Sequence, residues 1–174
     1  MLLGLVGSEM CIRDRGSAAA LATGMAWLAH GSDYGGSLRS PASFCSIVGM
    51  RPSPGRIPSN VSGILDQTLG VNGPMARNVK DLALFFDVLL GQTYKDPTSI
   101  PKEEKSFLNN ALEEKKPRKV AISQDLGIPP VDPTIREFIV KVGKELEKLG
   151  IVVEEATPDL SEAPYTSQIL RSFS

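Results

Sequence analysis

The sequence contains few of the residues that bind metals or form disulfide scaffolds. It has two cysteines, Cys11 and Cys45, and a single histidine, His30. It contains no CxxC pair and no cluster of cysteine and histidine, so we predict neither a metal site nor a cofactor. Two cysteines are also too few for a disulfide framework, which favours a reducing, cytoplasmic setting.

The chain also lacks an excess of one charge and any long apolar run. Its 19 Lys and Arg residues are balanced by 20 Asp and Glu residues. This balance provides no basic surface of the kind that attracts nucleic acid or an anionic membrane. No apolar segment reaches the ~20 residues that a membrane-spanning helix needs. We therefore predict that neither nucleic acid nor a membrane is a partner.

The apolar pattern predicts an α/β fold. With 174 residues, 41% of them hydrophobic, the chain can form one globular domain with a core. Strands alternate with helices along the chain, which favours an α/β layer with a largely buried sheet. Strands are predicted at residues 25–30, 47–50, 119–123 and 151–153. Helices are predicted at residues 17–22, 78–90 and 133–149, with a short helical turn at residues 41–45.

The two long helices have clear start signals. Asn78 followed by Asp81 is a plausible N-cap, and Asp132 precedes Pro133, a residue favoured in the first helical turn. The second helix carries a continuous apolar stripe, which we expect to face a sheet. Its members are Ile135, Phe138, Ile139, Val142, Leu146 and Leu149. Between the predicted elements, the glycine- and proline-rich residues 51–74 indicate an irregular connection, and residues 92–117 indicate a solvated loop.

A glycine-rich turn at residues 31–39 is the most informative segment for function. Gly35, Gly36 and Ser37 follow an apolar strand and precede a helical turn. Glycines allow backbone N–H groups to converge on one point, where they could stabilise an oxyanion while the serine attacks a carbonyl. The same pattern also fits a phosphate-binding nest or a purely structural turn. Spacing alone does not decide among these three interpretations.

The sequence around this turn resembles a known family. Residues 31–45 read GSDYGGSLRSPASFC, which is similar to the core of the amidase signature family, G-[ST]-D-x-G-G-S-[IL]-R-x-P-A-x-F-C. The similarity extends from Gly16 to the end of the chain and is evident at residues 48–53, 55–56, 73–79 and 132–133. It implies an α/β fold in which a central mixed β-sheet is covered by helices.

The resemblance also implies roles for residues in the turn. Ser37 matches the nucleophile of the family, which attacks an amide carbonyl and forms an acyl-enzyme. The N–H groups of Tyr34, Gly35, Gly36 and Ser37 match the oxyanion hole. Asp33 and Arg39 match a charged pair that braces the turn. In the family, a neutral lysine acts as the base through a serine held by a cis peptide bond.

The similarity stops at Gly16. Arg13 stands where the family has its cis serine, and the lysine lies further upstream in the family than Met1 does here. We therefore expect residues 1–15 to be a foreign segment and residues 16–174 to be a partial amidase domain, truncated at both ends and inactive as written. A Ser-His-Asp arrangement of Ser37, His30 and Asp33 is a weaker alternative, because the sequence spacing suits it poorly.

Three functions remain open. The first is an amidase that hydrolyses a small-molecule amide, and the second is the A-type subunit of a tRNA-dependent amidotransferase. That relative carries a stretch like YGLxAFASSLD after its Gly-Arg, whereas residues 57–66 here read IPSNVSGILD. The third is a non-catalytic remnant.

A homodimer is compatible with the resemblance. Trp27 and Phe44 are interpreted as core residues rather than as pocket residues.

Overall fold

The computed structural model describes residues 12–59, 69–113, 115–128 and 130–172. The chain divides into two compact units, Met1–Glu114 and Lys115–Ser174, where the sequence suggested one domain. The first helix, α1 (Ile12–Ala22), runs across the predicted boundary between residues 15 and 16. The interpretation of residues 1–15 as foreign stays a prediction, and residues 1–11 lie outside the described part of the chain.

The first unit is built around a small antiparallel sheet. Its strands are β1 (Leu28–Asp33), β2 (Val48–Gly49) and β3 (Val71–Ala76), arranged in the order β1-β3-β2. The short helix α2 (Arg39–Phe44) connects β1 to β2. The core at this sheet consists of Ala18, Leu21, Leu38 and Met75, all of them 0% exposed. Helix α1, the turn after β1 and the central strand therefore share one core.

The predicted buried strand at residues 25–30 is wrong in its position and in its burial. The strand begins at Leu28, and the side chains of Met25 and Trp27 are 83% and 82% exposed. Met25 belongs instead to the end of α1, because its N–H donates to the Ala20 carbonyl at 2.8 Å. Gly24 has φ +76° and donates to the Leu21 carbonyl. These two bonds form a Schellman motif, so the apolar residues after Gly24 complete a helix cap before the strand starts.

The prediction of an irregular connection over residues 51–74 is right for residues 51–59 and 69–70, which form neither helix nor strand, and wrong for residues 71–74, which belong to β3. Strand β3 is the central strand even though it contains Gly73 and Pro74. A Cβ on Gly73 would collide with the Met50 carbonyl and lie 2.5 Å from Leu38 Cδ1, so the close packing here requires glycine. The Met50 N–H donates to the Pro74 carbonyl at 3.1 Å. Because proline has no N–H to return, the ladder with β2 ends at this pair.

Helix α3 (Val79–Leu89) confirms the predicted helix at residues 78–90. Asn78 is its N-cap, with the side-chain oxygen accepting from the Asp81 N–H at 2.8 Å. Leu82, Ala83 and Phe86 form its buried face. Local capping and helical spacing were sufficient to predict this element.

Residues 92–117 are only partly the solvated loop that was expected. They contain helix α4 (Phe107–Leu112), and the rings of Phe107 and Phe86 pack edge to face at 4.8 Å. Asp87 of α3 fixes the start of α4. Its carboxylate accepts from the N–H groups of Phe107 (2.9 Å) and Leu108 (3.0 Å) and from the Ser106 hydroxyl (2.6 Å). The carboxylate of Asp87 and the packed rings thus attach this helix to α3.

We expect Asp87→Ala to destabilise the attachment of α4 by about 2 kcal/mol, because it leaves helix N–H donors without their acceptor. Hydrogen exchange of the amides in α4 measures the effect.

The pKa of Asp87 determines how this stabilisation depends on pH. Burial raises the pKa of Asp87, but the hydrogen bonds from Ser106, Leu108 and Phe107 and the charge of Lys102 outweigh burial and lower it. The stabilisation is therefore complete above the ordinary value of 3.8 and is lost as pH falls through the lower folded pKa.

Glu113→Gln provides the control for this prediction, since Glu113 pairs with Lys105 at 2.8 Å on the surface near α4. Surface pairs of this kind contribute at most about 1 kcal/mol. Equal exchange rates in α4 for the Asp87→Ala variant and the unmodified chain would contradict the proposed attachment.

The second unit contains a parallel strand pair with a helix between the strands. Strands β4 (Lys119–Ile122) and β5 (Val152–Glu155) pair in register from Lys119↔Val152 to Ile122↔Glu155. Helix α5 (Pro133–Lys148) lies between them in sequence, and α6 (Ala163–Ser172) follows. Asp132 caps α5 by accepting from the Thr134 N–H at 2.8 Å. The strand–helix–strand unit and the bounds of α5 confirm the predictions for this region.

The apolar stripe of α5 faces the sheet only in part. Gly143 is the buried contact point, and a Cβ there would lie 2.8 Å from Ile122 Cδ1. Ile139 and Leu146 are half-buried. The other four members of the predicted stripe are 36–59% exposed: Ile135, Phe138, Val142 and Leu149. The prediction is wrong for these four because two strands of four residues are too narrow to cover the whole stripe.

Candidate functional site

The candidate site is the turn between β1 and α2. Strand β1 ends at Asp33 and α2 begins at Arg39, so five residues reverse the chain. Gly36 adopts φ +112°, a conformation that side chains other than glycine rarely adopt. The Ser40 N–H donates to the Gly36 carbonyl at 2.8 Å. Ser37 follows Gly36 and is 7% exposed, so it lies at the reversal, two residues before α2.

Asp33 organises this turn from a completely buried position. Its side chain is 0% exposed. One carboxylate oxygen accepts from the Gly36 N–H at 2.8 Å and the other from the Leu38 N–H at 3.2 Å. These N–H groups belong to the residues immediately before and after Ser37. The carboxylate therefore restrains the backbone on both sides of the serine.

Arg39 neutralises the buried carboxylate. Its Nε and Nη2 atoms each lie 3.0 Å from a different oxygen of Asp33, the bidentate geometry that makes such pairs strong. Burial raises the pKa of Asp33, but the hydrogen bond from Arg39, those from the Gly36 and Leu38 N–H groups, and the positive charge of Arg39 outweigh burial and lower it. The predicted contact between Asp33 and Arg39 is thus present and keeps Asp33 ionised.

One of the four predicted oxyanion donors has another partner. The Gly36 N–H donates to the Asp33 carboxylate. In this structure it therefore closes the turn and does not point to an oxyanion beside Ser37. The reason is the length of the Asp33 side chain, which reaches forward to the third residue along the chain. The donor roles of Tyr34, Gly35 and Ser37, and the role of Ser37 as nucleophile, stay predictions.

The structure does not assemble the alternative Ser-His-Asp arrangement. His30 and Asp33 are three positions apart in β1, which places their side chains on opposite faces of the strand. His30 is exposed whereas Asp33 is buried. In the described structure the carboxylate of Asp33 instead faces Arg39 and the turn backbone.

Trp27 and Phe44 are not core residues, contrary to expectation. Trp27 is 82% exposed, and the guanidinium of Arg77 lies 5.3 Å from the centre of its ring. Arg77 also donates to the Ala26 carbonyl at 2.7 Å, so it holds the segment before β1 from outside. Phe44 is 90% exposed. Trp27 lies one residue before β1, and Phe44 is the last residue of α2.

Among the described residues, cavities lie near the turn. One, of about 230 Å³, is lined by polar and apolar residues from β1, the turn after it, β3 and the loops around β3 and after α3. Its lining includes Ser32, Tyr34, Asn72 and the buried Asp96. Another, of about 430 Å³, is lined by Arg15, Ser40, Pro41, Phe44 and Cys45. Ser37 lines neither of them.

The described residues contain neither a metal-binding cluster nor a membrane-spanning helix. Across residues 12–59, 69–113, 115–128 and 130–172, no three His, Cys, Asp or Glu side chains are grouped so that they could hold a metal ion. Within the same ranges, no helix combines the length and apolar character needed to cross a membrane.

Arg51 is the site residue that sequence reasoning missed. Its Nη1 donates to the Asp33 carbonyl at 3.4 Å and its Nη2 to the Leu69 carbonyl at 2.9 Å. It was noted only as part of a matching segment, because it follows a different strand and no spacing rule connects it to Asp33. A basic residue directly after a strand was the available signal, and that signal is too common to be informative.

Solved structures identify the fold as that of amidase signature enzymes. A bacterial aryl acylamidase of that enzyme family is 30% identical and superimposes with a TM-score of 0.75, covering 82% of this chain and 29% of its own. The A-type subunit of glutamyl-tRNA(Gln) amidotransferase from Thermotoga maritima is 29% identical with a TM-score of 0.75, covering 89% of this chain and 34% of its own. The predicted α/β class is confirmed.

Sequence comparison leads to the same family. The sequence model of the Amidase family matches residues 15–170, and the chain belongs to the amidase signature family. An acylamidase of Rhodococcus erythropolis is 36% identical over 142 residues, which are 82% of this chain and 30% of that protein. The A-type subunit of the Lachnospira eligens glutamyl-tRNA(Gln) amidotransferase is 37% identical over 150 residues, 86% of this chain and 31% of that protein. The chain therefore spans about a third of the length of these curated relatives.

Proposed function

We propose that this chain carries the nucleophile of a hydrolase that cleaves the carbon–nitrogen bond of a carboxylic amide, with Ser37 as the attacking residue. The observation that carries the proposal is the buried carboxylate of Asp33, which binds the N–H groups on both sides of Ser37. A nucleophile must be held in a defined position, because small displacements cost much of the rate. The membership of the amidase family supports the reaction class.

The proposed reaction proceeds through an acyl-enzyme. The Ser37 oxygen attacks the amide carbonyl carbon, and the carbonyl oxygen becomes an oxyanion. The C–N bond then breaks, the amine leaves with a proton, and water releases the acid from Ser37. The N–H groups of Tyr34, Gly35 and Ser37 are the proposed donors to the oxyanion, where one donor contributes about 10²–10³ in rate in other hydrolases. The proposal includes no metal or cofactor.

A base must remove the proton of Ser37, since a serine hydroxyl is a weak nucleophile at neutral pH. The resemblance assigns this task to a neutral lysine acting through a cis serine. At the position of that serine this chain has Arg13, which lies in α1. We therefore propose that the chain alone does not turn over amides at an enzymatic rate.

The proposed substrate is a small amide. The relatives that support it are the acylamidase of R. erythropolis and a 6-aminohexanoate cyclic dimer hydrolase, which is 29% identical with a TM-score of 0.71. A second candidate is the A-type subunit of a glutamyl-tRNA(Gln) amidotransferase, favoured by the 37% identity to the L. eligens protein. If the second candidate is correct, a complex that contains this chain would act on tRNA. The prediction that nucleic acid is not a partner would then hold for the isolated chain but not for the complex.

A chimera tests the proposal. Residues 16–170 replace the matching region of the R. erythropolis acylamidase, and hydrolysis of a simple aryl amide is measured. We expect turnover within about a hundredfold of the parent, because the chimera combines the parent's proton-transfer groups with the turn of this chain. The isolated chain, assayed beside it, should give no turnover above the blank.

A folded chimera that is inactive on the aryl amide but releases ammonia from glutamine would favour the amidotransferase candidate. A folded chimera that is inactive on both substrates would contradict the proposal and favour a non-catalytic remnant. Circular dichroism and cooperative thermal unfolding establish that the chimera is folded before either conclusion is drawn.

A further inference from the structure

Arg51 lies where the ends of all three strands of the first sheet meet. It follows β2 by two positions and bonds to Asp33, the last residue of β1. Its second partner, Leu69, lies two residues before β3. The pair Asp33↔Val71 is the end of the β1–β3 register. The guanidinium therefore connects the strand ends at the point where the chain enters the turn of Ser37.

Arg51 also contributes a second positive charge beside the buried carboxylate. Its Nε lies 4.0 Å from Asp33 Oδ1. The side chain of Arg51 is 25% exposed, whereas that of Arg39 is 56% exposed. Water therefore screens the charge of Arg39 more strongly than the charge of Arg51, which is less exposed to solvent.

We propose that Arg51 is a positioning residue for Ser37, which acts through Asp33 and touches no substrate. The claim that Arg51 affects catalysis rests on the proposed function, whereas the claim that Arg51 restrains the turn does not. Arg51 holds the Asp33 backbone through the carbonyl and attracts the Asp33 carboxylate through its charge. Asp33 in turn binds the N–H groups of Gly36 and Leu38. Removing Arg51 loosens both restraints on the turn.

Hydrogen exchange on the full chain tests the structural part. The amide protons of Gly36 and Leu38 report whether Asp33 still holds them. We expect Arg51→Met to reduce their protection by about tenfold, because local opening of the turn becomes easier. Arg51→Lys retains the charge but not the forked geometry, and we expect it to restore about half of the lost protection on a logarithmic scale.

Arg56→Met is the matched control. Arg56 lies in the same loop, its side chain is 26% exposed, and it forms an ion pair with Glu103, away from Asp33. We expect it to change the protection of Gly36 and Leu38 by less than about twofold. Unchanged protection in Arg51→Met, or an equal loss in both variants, would overturn the inference.

Kinetics on the chimera test the catalytic part. A residue that positions the nucleophile without touching the substrate should alter kcat and leave KM in place. We expect Arg51→Met to lower kcat about fivefold at constant KM, with partial recovery in Arg51→Lys and no change in Arg56→Met. An unchanged kcat together with reduced protection would overturn the positioning role. If the unsubstituted chimera folds but is inactive on both the aryl amide and glutamine, the proposed function fails, and the exchange measurement alone decides whether Arg51 holds the turn.

Discussion

Replacing Ser37 by alanine in the chimera is expected to lower kcat by about 10⁴-fold or more, because the nucleophile and its proton-transfer partners act as one unit. The substitution removes only a hydroxyl from a side chain that is 7% exposed. The fold should therefore persist, and the loss should fall on kcat. Steady-state hydrolysis of an aryl amide measures the overall turnover. Trapping of the acyl-enzyme shows whether the attack on the carbonyl still occurs.

Ser43→Ala is the control for this substitution. Ser43 lies on α2 close to the turn in sequence, and its side chain is exposed. We expect its kcat to stay within about twofold, as for most surface substitutions. Retention of turnover in Ser37→Ala would show that another group attacks the carbonyl and would contradict the proposed role of Ser37.

Replacing Asp33 by asparagine is expected to destabilise the chain by about 3 kcal/mol at pH 7, because it removes a buried anion that binds a guanidinium and two backbone N–H groups. Urea unfolding followed by circular dichroism measures the loss. Asp81→Asn is the control, since Asp81 lies at the start of α3 and its carboxylate accepts an exposed hydrogen bond from Asn78 Nδ2 at 2.7 Å. Its cost should be below about 1 kcal/mol.

The effect of Asp33→Asn should depend on pH with a defined sign. The pKa of Asp33 lies below its ordinary value of 3.8. The ionised carboxylate therefore contributes its full stabilisation above that value and loses it as pH falls through the lower folded pKa. The difference between the two proteins should accordingly shrink as the pH falls below about 3.8. A difference that is constant from pH 7 to pH 2 would contradict the charged role of Asp33.

Elements governed by neighbouring residues could be predicted from the sequence. Helices α3 and α5 were predicted to within about one residue at each end, because Asn78 and Asp132 cap them and the apolar spacing is regular. Strand β3 could not be predicted, because Gly73 and Pro74 are turn formers by local rules. Its central position is imposed by close contact with Met50 and Leu38, which are distant in sequence.

The site shows the same division between local and distant determinants. The turn and Asp33 with Arg39 were found because family resemblance encodes them in one contiguous segment. The partner of the Gly36 N–H was missed, although it is local, because the pattern does not specify which way a side chain folds back. Arg51 was missed because its contacts to Asp33 and Leu69 depend on the register of three strands. Periodicity in one segment carries no information about such a register.

The pairing of β1 with β3 has a consequence for how the chain folds during synthesis. Strand β1 and the Ser37 turn emerge from the ribosome before β3, the strand with which β1 pairs in this sheet. Helix α2, strand β2 and residues 50–70 must all be synthesised before the first β1–β3 pair can close. Closing such a long loop costs entropy before any contact repays it, and contacts between distant segments slow folding. The surroundings of Ser37 therefore form late, and a nascent chain that ends before Val71 carries Ser37 without the sheet that positions it.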